Sequence, residues 1–167
     1  AKLTDIQLPE GYSGTLGTKA FYGCTALTKM TLPDGMTGLG NEAFKNCTSL
    51  ASVGFGSGLN DLGMNSFENC TSLTEVDLSG SDVWALGNEV FKNCTALETL
   101  VLGSDCYDLG CNTFEGCAAI KGSVALPYCW LYGGFFKGCT GISKVHISGW
   151  DWFESYGSDG EVAGNFD

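Results

Sequence analysis

Seven short runs of alternating apolar and polar residues punctuate the chain. They are LTDIQLP from Leu3, LTKMTLP from Leu27, LASVGFG from Leu50, LTEVDLS from Leu73, LETLVLG from Leu97, IKGSVALP from Ile120 and ISKVHIS from Ile142. In the regular runs the fourth and sixth positions are apolar and the fifth usually is not, the period of a strand with one buried face. A Pro, Gly or Ser follows each run and supplies turn chemistry. The first residues of the runs step by 24, 23, 23, 24, 23 and 22. A strand too short to stand alone, recurring at such a step, buries its face only against the same strand of the next coil. The expected product is one parallel sheet of all the runs, its strands ~4.8 Å apart along the stack.

A second pattern fills the space between the runs. LGNEAFKNCTSL, from Leu39, returns as LGMNSFENCTSL from Leu62, LGNEVFKNCTAL from Leu86 and LGCNTFEGCAAI from Leu109. Looser copies begin at Leu16 and Leu131. The Phe column is Phe21, Phe44, Phe67, Phe91, Phe114 and Phe136, which at this spacing reads as an internal spine. The Gly after each Leu is expected to permit a tight turn. Too few residues follow it for more than one or two turns of 3₁₀ or α geometry.

These residues carry a family resemblance. The unit L-x-x-V-x-L-P…L-G-x-x-A-F-x-x-C-T-x-L resembles the leucine-rich repeat of BspA-type bacterial surface proteins, with Leu27, Met30, Leu32, Leu39, Ala43, Phe44 and Cys47 matching in turn. The expected fold is α/β: a leucine-rich-repeat solenoid of about seven coils, each of ~23 residues, with a strand-dominated parallel sheet on one face and short 3₁₀ or helical turns on the other. Residues 1–149 form the solenoid and the non-repeating residues 150–167 a C-terminal cap. The sixth coil departs from the pattern, gaining a residue in its strand and losing two after it. The resemblance implies secreted or cell-surface adhesion to host or matrix components, and it supplies no catalytic residues.

Charge narrows the partners. Eight Lys and no Arg stand against nineteen acids, a net of −11, and no basic residue lies between Lys45 and Lys92. Such a surface repels phosphate backbones, so nucleic acid and anionic membrane are poor partners. No run of 18 apolar residues occurs, so no membrane-spanning helix is expected. A signal peptide is not visible at the start.

Cys24, Cys47, Cys70, Cys94, Cys117 and Cys139 form a column in which each thiol has two equivalent neighbours. No pairing is specified, and the expectation is free structural thiols packed as small hydrophobes. Cys106, Cys111 and Cys129 break the repeat. Cys106 and Cys129 fall in the turns after adjacent strands, within possible disulfide reach. No C-x-x-C occurs, and with one His no metal or cofactor is expected.

His146 takes an outward strand position with no nucleophile tied to it by spacing. Glu75 and Asp77 share one outward face, where paired acids are more often solvation than acid–base machinery. Aromatics gather in the turns after the strands: Tyr12, Trp84, Tyr107, Tyr128 and Trp130. They cap the core, or they form a rim for a partner's apolar surface or for sugar rings. Asn46, Asn69 and Asn93 begin Asn-Cys-Thr triplets, glycan acceptors in one setting and turn residues in another. Asp151, Glu154, Asp159 and Glu161 lack EF-hand spacing. The expected function is a non-enzymatic binding or adhesion module for an extracellular protein or glycan. Its candidate contacts are Trp84, Tyr107, Tyr128, Trp130, Glu75, Asp77 and His146. The alternative is a structural spacer or self-assembling scaffold that presents another domain.

Overall fold

A computed structural model describes residues 3–9 and 11–148. Among these residues twelve short strands follow one another. They begin with β1 (Gly14–Leu16), β2 (Lys29–Thr31), β3 (Met36–Leu39), β4 (Ser52–Gly54), β5 (Asp61–Leu62) and β6 (Glu75–Asp77). The others are β7 (Ala85–Leu86), β8 (Thr99–Val101), β9 (Asp108–Leu109), β10 (Gly122–Leu126), β11 (Trp130–Leu131) and β12 (Ile142–Ile147). Every pairing is parallel, the mark of stacked coils. The solenoid expected from the repeat is present.

The long ladder, however, does not follow the alternating runs. β1, β3, β5, β7, β9 and β11 pair in that order into a six-stranded sheet. In it Leu16, Leu39, Leu62, Leu86, Leu109 and Leu131 align, coil upon coil. The alternating runs form three separate pairs instead: β2 with β4, β6 with β8, and β10 with β12. The run from Leu3 forms no strand, although Ile6 and Leu8 pack partly against the core.

The Gly after Leu39, Leu62, Leu86 and Leu109 lets the coils of the ladder approach closely. A Cβ on Gly40 would lie 2.5 Å from the Thr18 nitrogen, and one on Gly63 2.6 Å from the Leu39 carbonyl oxygen. None of Gly40, Gly63, Gly87 and Gly110 has a positive φ. These glycines admit close approach between coils rather than a special turn.

The opposite side carries no helix among the described residues. Lys19, Phe21 and Gly23 donate their N–H groups to Asn41, Ala43 and Lys45 of the next coil. The residues between them close turns within their own coil, Ala20 onto Gly17, Tyr22 onto Lys19 and Cys24 onto Phe21. The pattern recurs down to Asn112, Phe114 and Gly116, which donate to Gly133, Phe135 and Lys137. A helix would direct every N–H along its own axis; here alternate ones leave for the neighbouring coil. Glu42 and Asn46 have φ of 58° and 64°, each at the third turn position, where a type II turn needs φ above zero. That is the local reason a helix does not form.

Inside this stack the Phe spine is present, with Phe44, Phe67, Phe91 and Phe114 at successive centroid spacings of 5.2, 5.4 and 5.4 Å. The column thiols lie beside it. Cys47, Cys70, Cys94, Cys117 and Cys139 donate to the carbonyls of Phe21, Phe44, Phe67, Phe91 and Phe114 at 3.0–3.3 Å. All are free. Burial pushes Cys47 up to about 11 and Cys94 up to about 12, so both stay as thiols, poor nucleophiles at neutral pH.

Candidate functional site on the six-stranded sheet

The rungs of the six-stranded sheet position a row of aromatic side chains. The N–H of Trp84 donates to Asn60, that of Tyr107 to Trp84, and that of Trp130 to Tyr107. Trp84 and Tyr107 therefore stand in one column, while Trp130 pairs with Asp108, one position further along, in the column of Asp61, Ala85 and Asp108. Trp84 and Tyr107 stack with centroids 5.8 Å apart. The three remain 42%, 46% and 64% exposed. Of the aromatic residues read from the sequence, Trp84 and Tyr107 form a stacked pair, and Trp130 stands on the next coil opposite Asp108.

Next to the rim lies a shallow groove of about 620 Å³, whose lining includes Trp84, Asp61, Asp108, Asn41, Asn88 and Tyr132. Asp61 and Asp108 flank Ala85 on neighbouring rungs. Burial raises the Asp61 carboxyl above its usual value. The Oδ1 of Asn41 accepts from the Met64 N–H and that of Asn88 from the Cys111 N–H, both across coils. Each side-chain NH₂ is then left to donate elsewhere. Aromatic faces, carboxylates and amides stand together here.

Tyr132 (49% exposed) and Met64 (44% exposed) were not singled out from the sequence. The signal was available, since Tyr132 directly follows the ladder residue Leu131 and Met64 follows Leu62-Gly63. The other expected residues do not join this face. Tyr12 is half-buried, and its hydroxyl donates to the Thr15 carbonyl at 3.5 Å. Tyr128 stands at a different cleft, between β8 and β10. Glu75 and Asp77 are exposed on β6, where Asp77 accepts from the N–H and Oγ of Ser79. Those bonds hold the Asp77 carboxyl below its ordinary value. His146 is exposed on β12, separated from those acids by β8 and β10. Cys106 and Cys129 are buried free thiols, pushed up to about 12 and about 11 by burial. The negative charge that Cys129 and Asp108 would place nearby adds to the rise at Cys106. The acids after Trp150 and the expected cap lie outside the described residues.

A column the sequence reading passed over runs along the turn side. From Phe44 onward, the residue after each Phe of the column is Lys45, Glu68, Lys92, Glu115 and Lys137, alternating in sign. Lys45 meets Glu68 at 2.6 Å, Lys92 meets Glu115 at 3.0 Å, and Lys137 meets Glu115 at 3.3 Å. Beside it, the Asn69 side chain donates to Asn46 and that of Asn93 to Asn69. The asparagines of the Asn-Cys-Thr triplets are tied into a ladder as turn residues.

Parallel coils, a Phe spine and a Leu-Gly ladder define a leucine-rich repeat solenoid. The chain belongs to the BspA-type leucine-rich repeat family, whose model matches residues 1–121 in six copies. No curated protein matches the chain. Among solved structures, it is similar to a leucine-rich repeat protein of T. pallidum at 28% identity and TM-score 0.65, covering 78% of this chain and 61% of that one. A leucine-rich repeat protein of Bacteroides ovatus shares 23% identity with TM-score 0.63, over 87% of this chain and 49% of the other. A leucine-rich cell surface protein of Faecalibacterium prausnitzii shares 22% identity with TM-score 0.65, over 80% of this chain and 42% of the other. The chain thus spans at most about three fifths of the first of these proteins. Among the described residues no helix is long and apolar enough to cross a membrane.

Proposed function

We propose that this chain is a non-enzymatic binding module, secreted or displayed at the cell surface, that engages an extracellular protein or glycan. The contact surface is the rim of Trp84, Tyr107 and Trp130 with the adjoining acidic groove. This reading rests on one observation above the rest: three large aromatic side chains on successive rungs, each two-fifths or more exposed. Aromatic side chains of this kind concentrate binding energy when a partner covers them. Their flat faces suit an apolar patch or a sugar ring, and Asp61, Asp108, Asn41 and Asn88 supply directional hydrogen bonds beside them. The leucine-rich repeat family is generally non-enzymatic, and one similar structure is described as a cell surface protein, in keeping with display outside the cell.

The test is an array of glycans and extracellular proteins, probed with the wild type beside a Trp84→Ala/Trp130→Ala double variant. A ligand retained by the wild type and weakened about tenfold or more by the double variant is the expected outcome. Equal binding by the two would make the rim a structural feature. An array with no ligand at all would favour a spacer that presents another domain.

A further inference from the structure

The groove beside Trp84 holds two carboxylates with a gap between them. Asp61, Ala85 and Asp108 follow one another across β5, β7 and β9, each directly before a ladder leucine. Leu62, Leu86 and Leu109 are buried, so alternation sends the three preceding side chains outward. With strands ~4.8 Å apart, the backbones of the two aspartates lie about 10 Å from each other. The methyl group of Ala85 leaves a notch between them. Asp108 has the bulk of Trp130 on its far side and the notch on its near one. Asp61 stands between the two smallest residues of its column, and its carboxylate leans over Gly38. A change of rotamer brings it over Ala85.

These charges are uncompensated. The ion pairs among the described residues use neither Asp61 nor Asp108. No lysine, arginine or histidine lines the groove, and no basic residue occurs between Lys45 and Lys92. Burial raises the Asp61 carboxyl, and no positive neighbour offsets it. The aromatic side asks for the same sign of charge. Tyr107 covers one side of Trp84, while on the other the matching residue is Asn60, which has no ring. An exposed ring face is negative and attracts a cation placed over it.

We propose that this groove takes an arginine side chain of a partner protein, with its guanidinium over Ala85, between Asp61 and Asp108 and against Trp84. The inference rests on the reading of the rim as a binding surface and narrows it to a protein carrying a basic segment. A guanidinium donates to two carboxylates from one plane and stacks on an indole, which the compact ammonium of lysine does less well. A neutral sugar would use the ring and leave both charges unmatched. Among the described residues no three acidic, cysteine or histidine side chains converge to hold a metal ion. The free NH₂ groups of Asn41 and Asn88, whose Oδ1 atoms already accept from the main chain, suit the carbonyls of the segment that bears the arginine.

The experiment titrates the whole chain with a short glycine–serine peptide that carries one central arginine, followed by amide and indole chemical shifts. The peptide should shift the Ala85 amide and the Trp84 indole, and its affinity should fall as salt rises. Citrulline in place of the arginine keeps the shape without the charge and should weaken binding about tenfold or more. Asp61→Asn and Asp108→Asn should each weaken it several-fold. Ala85→Lys fills the notch with the chain's own ammonium and should abolish binding at an unchanged unfolding midpoint. Glu98→Gln removes an equal charge beside β8, on the alternating-run side, and should change nothing. The proposal is overturned if the arginine peptide does not bind, if citrulline serves as well, or if Glu98→Gln weakens binding as much as the aspartate variants. It is overturned equally by an array ligand, glycan or protein, that depends on Trp84 and Trp130 and is indifferent to Asp61→Asn and Asp108→Asn; that result leaves the rim reading standing. Failure of the rim reading itself shows instead as array ligands indifferent to the Trp84→Ala/Trp130→Ala double variant.

Discussion

The turn side and the alternating-run side are made from the same repeat, yet one is closed throughout and the other is broken twice. On the turn side, alternate N–H groups, stacked phenylalanines, thiols and asparagines all bridge from coil to coil. On the other side, coil-to-coil cohesion depends on a three-residue ladder and a pair of inward side chains. That ladder fails between β4 and β6 and between β8 and β10. Val53 and Phe55, which precede the first break, and Leu100 and Leu102, which precede the second, are only partly buried. Redundancy makes the difference. A column with several kinds of bridge tolerates an irregular coil, and a column with one kind opens.

The largest effect should come from the closed side. Phe67→Ala removes a fully buried ring from mid-stack and should cost about 3–5 kcal/mol in urea unfolding. Leu100→Ala, on the open side, should cost less than about 2 kcal/mol, below the usual range for a buried leucine. Equal losses would erase the distinction between the sides. Phe21, only partly buried near the first coil, should lie below Phe67 when replaced by Ala.

Asn69 tests a second bridge of the closed side. It holds φ 61° and links Asn46 to Asn93. Asn69→Ala should cost roughly 2 kcal/mol, from the left-handed backbone and the lost hydrogen bonds together. Asn69→Gly keeps the backbone freedom and should lose only about half as much. If the two variants unfold together, the side-chain ladder and not the φ requirement dominates.

The closed side also contains a misfit. The Oγ of Ser66 is buried without a hydrogen-bond partner, whereas Thr113, in the same column, donates to the Gly110 carbonyl. Ser66→Ala should stabilise the protein by about 1 kcal/mol, and Thr113→Ala should not. Thermal unfolding midpoints of the two variants decide the point.

The smallest effect is electrostatic. Hydrogen bonds from Lys92 hold the carboxyls of Glu89 and Glu115 below the usual glutamate value. Depressed folded values mean that this stabilisation is present above the unfolded value, near 4.5, and is lost as pH falls through the folded ones. Because the pairs are partly exposed, each should contribute less than about 1 kcal/mol. Unfolding free energy should therefore decline on acidification below about pH 4.5, and Lys92→Met should flatten part of that decline. A slope unchanged by Lys92→Met would place the acid sensitivity elsewhere, with Asp61, raised by burial, acting in the opposite sense.

The coil period, the Phe and Cys columns and the inward positions of each run are determined by the sequence itself, because burial of a repeated face leaves no other arrangement. The pairing of Trp84 with Tyr107 was also readable, from their equivalent places two residues before Leu86 and Leu109. Tyr132, Asp61 and Asp108 were not, because they join Trp84 only when neighbouring coils bring separate segments together. Nor could the pattern say which side would carry the unbroken ladder. Periodicity specifies which side chains face inward, but hydrogen bonding between coils depends on separations of a fraction of an ångström. Those separations are set by Gly40 and Gly63 at the close approaches and by Gly122, where β10 shifts register against β12, and only the stacked tertiary structure decides them.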